Sequence, residues 1–128
     1  MADNMVIVSK IGETGKVFTI ILKETDSTGA LVPKNLAGYT SIKMQVETAG
    51  GTIIMDQVVC VADADQTANP GKITCTTDIT VVAHIGLVKG DHRLEFSGLN
   101  ASGKKRYWPI NKNGERTYGH FIVQAALS

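Results

Sequence analysis

The sequence predicts an all-β fold, an antiparallel sandwich or barrel of seven to nine strands with room for one short helical turn. Three observations carry this. Gly-containing turns recur along the chain, at Gly12–Gly15, Ser27–Gly29, Ala49–Gly51, Asn69–Gly71, Lys89–Asp91, Ala101–Gly103 and Asn113–Gly114. Between them lie short segments rich in Val, Ile, Thr, Phe and Tyr, the residues that suit a pleated, half-buried surface. Several of these segments alternate apolar and polar side chains with period two, as a strand with one face in water does.

The elements follow in order. Met5–Lys10 is expected to be the first strand. Val17–Leu22 is apolar on both faces apart from Thr19, so it is expected to lie centrally or to have its second face covered by a partner. Tyr39–Glu47 and Thr52–Val59 flank Thr48-Ala49-Gly50-Gly51 and read as a hairpin, with Ile42, Met44 and Val46 on the inward face. Thr77–Leu87 is ambiguous. Thr77 or Asp78 suits a helix cap and Gly86 a helix stop, whereas the run Ile79, Thr80, Val81, Val82 is β-branched; a short helical turn is preferred. Asp91–Ser97 alternates, with His92, Leu94 and Phe96 opposing Arg93 and Glu95, and pairs with Lys104–Ile110 across Gly98–Gly103. Pro109 has no N–H and marks an edge or a strand end. Thr117–Ala125 is the last strand. The predicted core is Phe18, Ile20, Leu22, Ile42, Met44, Val46, Ile73, Leu94, Phe96, Phe121 and Val123.

The chain has 128 residues, of which 43% are apolar and 20% charged. That is ordinary for one globular domain, taken as residues 1–128, with 1–15 an N-terminal arm and first strand and 16–125 the core sandwich. Thirteen basic residues against twelve acidic ones leave a net charge of +1. This excludes a strongly basic nucleic-acid clamp and an acidic tail protein. The start Met1-Ala2-Asp3-Asn4 and the brief apolar run Met5–Val8 do not make a secretory signal, and no stretch has the roughly 20 apolar residues of a membrane helix. Synthesis and retention in a cytoplasm are expected. In that compartment Cys60 and Cys75 are expected to be free, half-buried thiols.

Local motifs for chemistry fail in turn. Gly98-Leu99-Asn100-Ala101-Ser102-Gly103-Lys104-Lys105 has phosphate-loop spacing, but Lys105 stands where Ser or Thr must hold a magnesium ion, and Arg106-Tyr107-Trp108-Pro109 reads as a strand instead of a helix. Asp63-Ala64-Asp65 begins like a calcium loop, but Thr67 occupies the third ligand position and Ala68 the place of the required glycine. His84, His92 and His120 are far apart and form no ligand pattern, and no nucleophile elbow is present. No enzyme activity, catalytic residue, metal or cofactor is therefore expected. Lys104-Lys105-Arg106-Tyr107-Trp108 joins basic and aromatic residues, a pairing that can bind single-stranded nucleic acid, but three charges in a near-neutral protein read better as a solvated strand end. Asn100-Ala101-Ser102 fits a glycosylation acceptor, which has no consequence without secretion.

The order of segments resembles the N-terminal, immunoglobulin-like domain of the phage baseplate upper protein family. The residues that carry the resemblance are Phe18-Thr19-Ile20-Ile21-Leu22, Asn35-Leu36-Ala37-Gly38-Tyr39-Thr40, Gly71-Lys72-Ile73-Thr74, Gly90-Asp91-His92-Arg93-Leu94-Glu95-Phe96, Trp108-Pro109, Asn113-Gly114 and Gly119-His120-Phe121-Ile122-Val123. They span roughly residues 16 to 125. His92 departs from the family's usual aromatic. The chain also ends at Ser128, where full-length members continue into receptor-binding parts, so a docking module alone is expected.

The resemblance implies a non-enzymatic bacteriophage virion structural protein, assembled in the host cytoplasm and located in the virion. Its partners would be other virion proteins, either the major capsid or tail and baseplate proteins, in a homo-oligomer or symmetric array. Neither nucleic acid nor membrane is expected as a partner. Capsid decoration or cementing is preferred to a tail or baseplate adaptor. The alternative is a small carbohydrate- or receptor-binding sandwich in which Tyr107, Trp108 and Tyr118 stack on sugar rings. The candidate interface comprises Val17, Thr19, Ile21, Tyr107, Trp108 and Tyr118.

Overall fold

The computed structural model describes residues 5–10, 15–48, 50–51, 53–77, 90–110 and 117–124. These hold ten strands: β1 (Val6–Lys10), β2 (Lys16–Ile21), β3 (Lys23–Thr25), β4 (Leu31–Pro33), β5 (Thr40–Glu47), β6 (Ile53–Ala62), β7 (Lys72–Thr77), β8 (Gly90–Leu99), β9 (Lys105–Trp108) and β10 (Gly119–Gln124). Among the described residues there is no helix. β7 runs through Thr77, and the rest of the segment expected to make a helical turn lies outside them.

Eight strands build the sandwich, within the expected range, and β3 and β4 add a small hairpin that the sequence did not announce. One sheet runs β1-β10-β8-β5-β6. The other runs β6-β7-β2. β6 belongs to both: Ile53–Val59 pairs with β5, and Cys60–Ala62 with β7. Its register against β5 slips between Met44 and Val46 and again between Val46 and Glu47. Bulges of this kind increase local twist and bend the strand, which carries β6 from one sheet to the other. Pairing is antiparallel except where β1 lies parallel to β10.

β8 is long enough to serve two neighbours on one edge. Gly90–Leu94 pairs with β10, and Phe96–Leu99 with β9. The Thr117 N–H, just before β10, donates to the Pro109 carbonyl, just after β9, at 3.0 Å. The Trp108–Pro109 peptide is cis. Gly119 is obligatory where β1 and β10 begin, since a Cβ there would lie 2.9 Å from the Met5 carbonyl oxygen.

The core fills the space between the sheets. Leu22, Ile42, Met44, Val46, Ile73, Leu94, Phe96, Phe121 and Val123 are buried as expected, and Phe18 and Ile20 pack against them half-buried. Phe18 of β2 meets Phe121 of β10 edge to face, with centroids 6.2 Å apart, tying the two sheets together. Met5, Ile7, Leu36, Cys60, Cys75 and Trp108 complete the cluster. Two expectations need correction. β2 is not central: among the described residues it is the last strand of its sheet. Trp108 is not a surface aromatic. It is 1% exposed and packs beside Tyr39, ring centroids 5.7 Å apart.

One buried polar side chain organises the loops at the β2 end. Gln66 accepts from the Leu36 and Gly71 N–H groups at 3.0 and 2.9 Å and donates to the Asp63 carbonyl at 2.9 Å. Gly71 is positioned against Leu22, whose carbonyl oxygen would be 2.3 Å from any Cβ placed there.

Candidate functional site

The sandwich has two outer faces of opposite chemistry, and they follow from strand alternation. On the larger sheet the outward positions of β5 are Lys43, Gln45 and Glu47, and those of β8 are Arg93, Glu95, Ser97 and Leu99. Among the described residues two ion pairs lie there. Arg93 Nη2 lies 2.9 Å from Glu47 Oε1 and donates to the Thr48 carbonyl at 3.1 Å, and its guanidinium sits 5.0 Å from the centre of the Tyr118 ring. His120 Nδ1 lies 2.9 Å from Asp91 Oδ1. A shallow recess of about 200 Å³ opens beside Ser41, Lys43, Ser97, Gly98, Leu99 and Lys105. Ser41 there has φ +54° and sits where the β5–β8 register slips between Thr40 and Lys43, so it is the irregular residue of a bulge.

The outer face of the smaller sheet is different. β2 presents Val17, Thr19 and Ile21, β7 presents Thr74 and Thr76, and β6 presents Val61, with Val59 on the same side of β6 where that strand is still paired with β5. The register places them side by side: Val17 opposite Thr76, Thr19 opposite Thr74, and Thr74 opposite Val61. Val59, Val61 and Val17 are 68%, 66% and 59% exposed, which makes them the most solvent-facing large apolar side chains among the described residues. Charged side chains stand at the margins of this face: Lys72, opposite Ile21, leans to Asp63 at 4.0 Å, and Lys43 of β5 lies opposite Val59. Among the described residues this face is a sheet surface of valine, isoleucine and threonine with β2 as its outermost strand.

The structure brings together three of the six candidate interface residues, Val17, Thr19 and Ile21, and adds Val59 and Val61 to them. The signal for the additions was present in Val58-Val59-Cys60-Val61-Ala62, which is apolar on both faces just as Val17–Leu22 is. The three aromatics do not gather into a platform. Trp108 is in the core, Tyr107 is half-buried with the Lys105 ammonium 5.3 Å from its ring centre, and Tyr118 is exposed but has Arg93 over one ring face.

The rejected motifs have visible structural work. Asn100 Oδ1 accepts from the Ser102 and Lys104 N–H groups, both at 2.9 Å, and Gly103 has φ +78°, so the phosphate-loop look-alike is the turn between β8 and β9. Asp63 Oδ1 accepts from the Asp65 N–H and Asp65 Oδ1 from the Ala68 N–H, at 2.9 and 3.0 Å, which orders the loop between β6 and β7. His92 is buried on the inward face of β8, and His84 lies outside the described residues. Among the described residues no three His, Cys, Asp or Glu side chains cluster to hold a metal, and no helix is long and apolar enough to cross a membrane.

Fold and surface together define the class of protein: an all-β sandwich with one face of charged and polar side chains and one of valine, isoleucine and threonine. No protein-family model matches the chain, and no curated protein matches it.

Proposed function

We propose that this chain is a non-enzymatic structural protein of a bacteriophage virion that docks on other virion proteins, with capsid decoration preferred to a tail or baseplate adaptor. The observation that carries the docking part is the outer face of β2, β7 and the second half of β6. Contiguous exposed apolar surface marks interaction sites in soluble proteins, and burying it contributes about 25 cal/mol per Å² before association costs. Among the described residues no strand pairs with the outer edge of β2, whose backbone groups can pair with another strand. The virion setting rests on the family resemblance of the β-strand motifs. The sugar-binding alternative has little support, because its three aromatics do not share a surface.

The test uses particles lacking this protein, to which the purified chain is added back. Rebinding in many copies per particle, at moderate salt, is expected, because a near-neutral chain has little long-range attraction to screen. Val17→Lys and Val61→Lys should abolish rebinding while leaving the melting temperature nearly unchanged, whereas Gln45→Lys on the opposite face should rebind normally. Particles indifferent to the protein in assembly, stability and infectivity, with no rebinding, overturn the proposal. Tight binding to a cell-surface glycan establishes the alternative.

A further inference from the structure

Cys60 on β6 and Cys75 on β7 are register partners, directly opposite each other, and both side chains point into the core, 6% and 2% exposed. The kind of pair can be worked out from the ladder. The Asp63 N–H donates to the Lys72 carbonyl at 2.9 Å, so Asp63 and Lys72 occupy a hydrogen-bonded position. Antiparallel positions alternate, so Val61 with Thr74 is again hydrogen-bonded, and Cys60 with Cys75 is non-hydrogen-bonded. In such a pair the Cα atoms stand about 4.5 Å apart and the side chains are at their closest. That separation lies within the roughly 4.4–6.8 Å a disulfide spans.

We infer that Cys60 and Cys75 form a redox site, held as two thiols in this structure, which a peroxide converts to an intramolecular disulfide clamping β6 to β7. The reaction balances in two steps. The thiolate of one cysteine attacks a peroxide oxygen, the O–O bond breaks, and a sulfenic acid forms with release of water once the departing oxygen is protonated. The second sulfur, giving up its proton, then attacks the sulfenic sulfur, the S–O bond breaks, and a second water leaves. Two thiols are oxidised by two electrons and one peroxide is reduced to two waters.

A hydrogen bond from the Cys60 thiol holds Cys75 below the usual thiol range against the opposing effect of burial, while the same contact and burial push Cys60 up. The Cys60 thiol also has the Val58 carbonyl within 3.6 Å. The bond would close the loop 61–74 just past the point where β6 leaves β5, fixing Val61 relative to Thr74. A disulfide there is an internal fastener for the apolar face and does not depend on what that face binds.

The experiment treats the purified full chain with hydrogen peroxide. The intact mass should fall by two hydrogens, proteolytic mapping should join the peptides that contain Cys60 and Cys75, and both thiols should return with dithiothreitol. The oxidised chain should melt roughly 5–10 °C higher, as closure of a short loop implies. Cys60→Ser and Cys75→Ser should take up oxygen in place of losing hydrogen and show no rise in melting temperature. Unreacted thiols, oxygen added to wild-type sulfurs without a bridge, a bridge only between molecules, or a bridge that leaves the melting temperature unchanged would each overturn the inference. The wild-type mass and map decide the chemistry even where a variant fails to fold.

Discussion

Gly98 and Trp108 are fitted to each other across β8 and β9. A Cβ on Gly98 would stand 3.3 Å from the Trp108 ring and 3.3 Å from Ile42, so the missing side chain of one residue is the space the other occupies. This pair lets a short strand, only four residues long, deliver the chain's single tryptophan to the core.

Two substitutions test the fit. Gly98→Val should destabilise by about 1–3 kcal/mol through overpacking, and Trp108→Ala by about 3–5 kcal/mol through the cavity it leaves. Denaturant unfolding measures both. The tryptophan emission of the wild type should shift to longer wavelength on unfolding, because the ring moves from the core into water. Emission already at the long-wavelength limit in the native state would contradict the burial.

Phe96 is fully buried between β8 and the opposite sheet. Phe96→Ala should cost about 3–5 kcal/mol, a large share of the roughly 5–15 kcal/mol that holds a domain together. An unchanged denaturation midpoint would show that the ring is not in the core.

Gln66 is a structural bracket. Gln66→Leu keeps the volume but strips the Leu36 and Gly71 N–H groups and the Asp63 carbonyl of their partner. Each buried group left unsatisfied costs about 1–3 kcal/mol, so a loss of a few kcal/mol is expected, together with faster amide exchange at Leu36 and Gly71. Protection unchanged at both amides would remove Gln66 from this role.

Asp26 accepts hydrogen bonds from the Thr28 hydroxyl and the Thr28 and Ala30 N–H groups, which hold its carboxyl below the ordinary value of 3.8. The depressed native value means that its contribution is present above the unfolded-state value and is lost as pH falls through the native one. Asp26→Asn, which keeps an acceptor but does not titrate, should flatten the stability profile below about pH 4. An acid limb identical to that of the wild type would show that Asp26 makes no contribution to it.

The alternation of Ile42-Met44-Val46 and of His92-Leu94-Phe96 made the β5–β6 and β8–β9 hairpins legible, because local period and a Gly turn fix both face and partner. Edge position was not legible. Val17, Thr19 and Ile21 fit a buried central strand as well as an exposed sticky one, and only the strand order distinguishes them. Trp108 was hidden by its neighbours: Lys104, Lys105 and Arg106 mark a solvated segment, and the cavity above Gly98 exists only once β9 pairs with β8. The contact of Cys60 with Cys75 depends on the register across a loop whose geometry Gln66 and Gly71 set. The face of valine, isoleucine and threonine likewise comes from three separated strands, and no window of sequence contains it.

The parallel pairing of β1 with β10 gives the molecule a built-in direction. Val6 lies beside His120 and Lys10 beside Gln124, so the chain enters this ladder at one tip of the sandwich and its last described strand finishes at the other, roughly 15–20 Å away at strand rise. A fluorophore attached ahead of Met5 and another attached after Gln124 would therefore act as bow and stern lights. Distances from each to a fixed point on a bound surface would report which way the domain stands, without any need to see the contact itself.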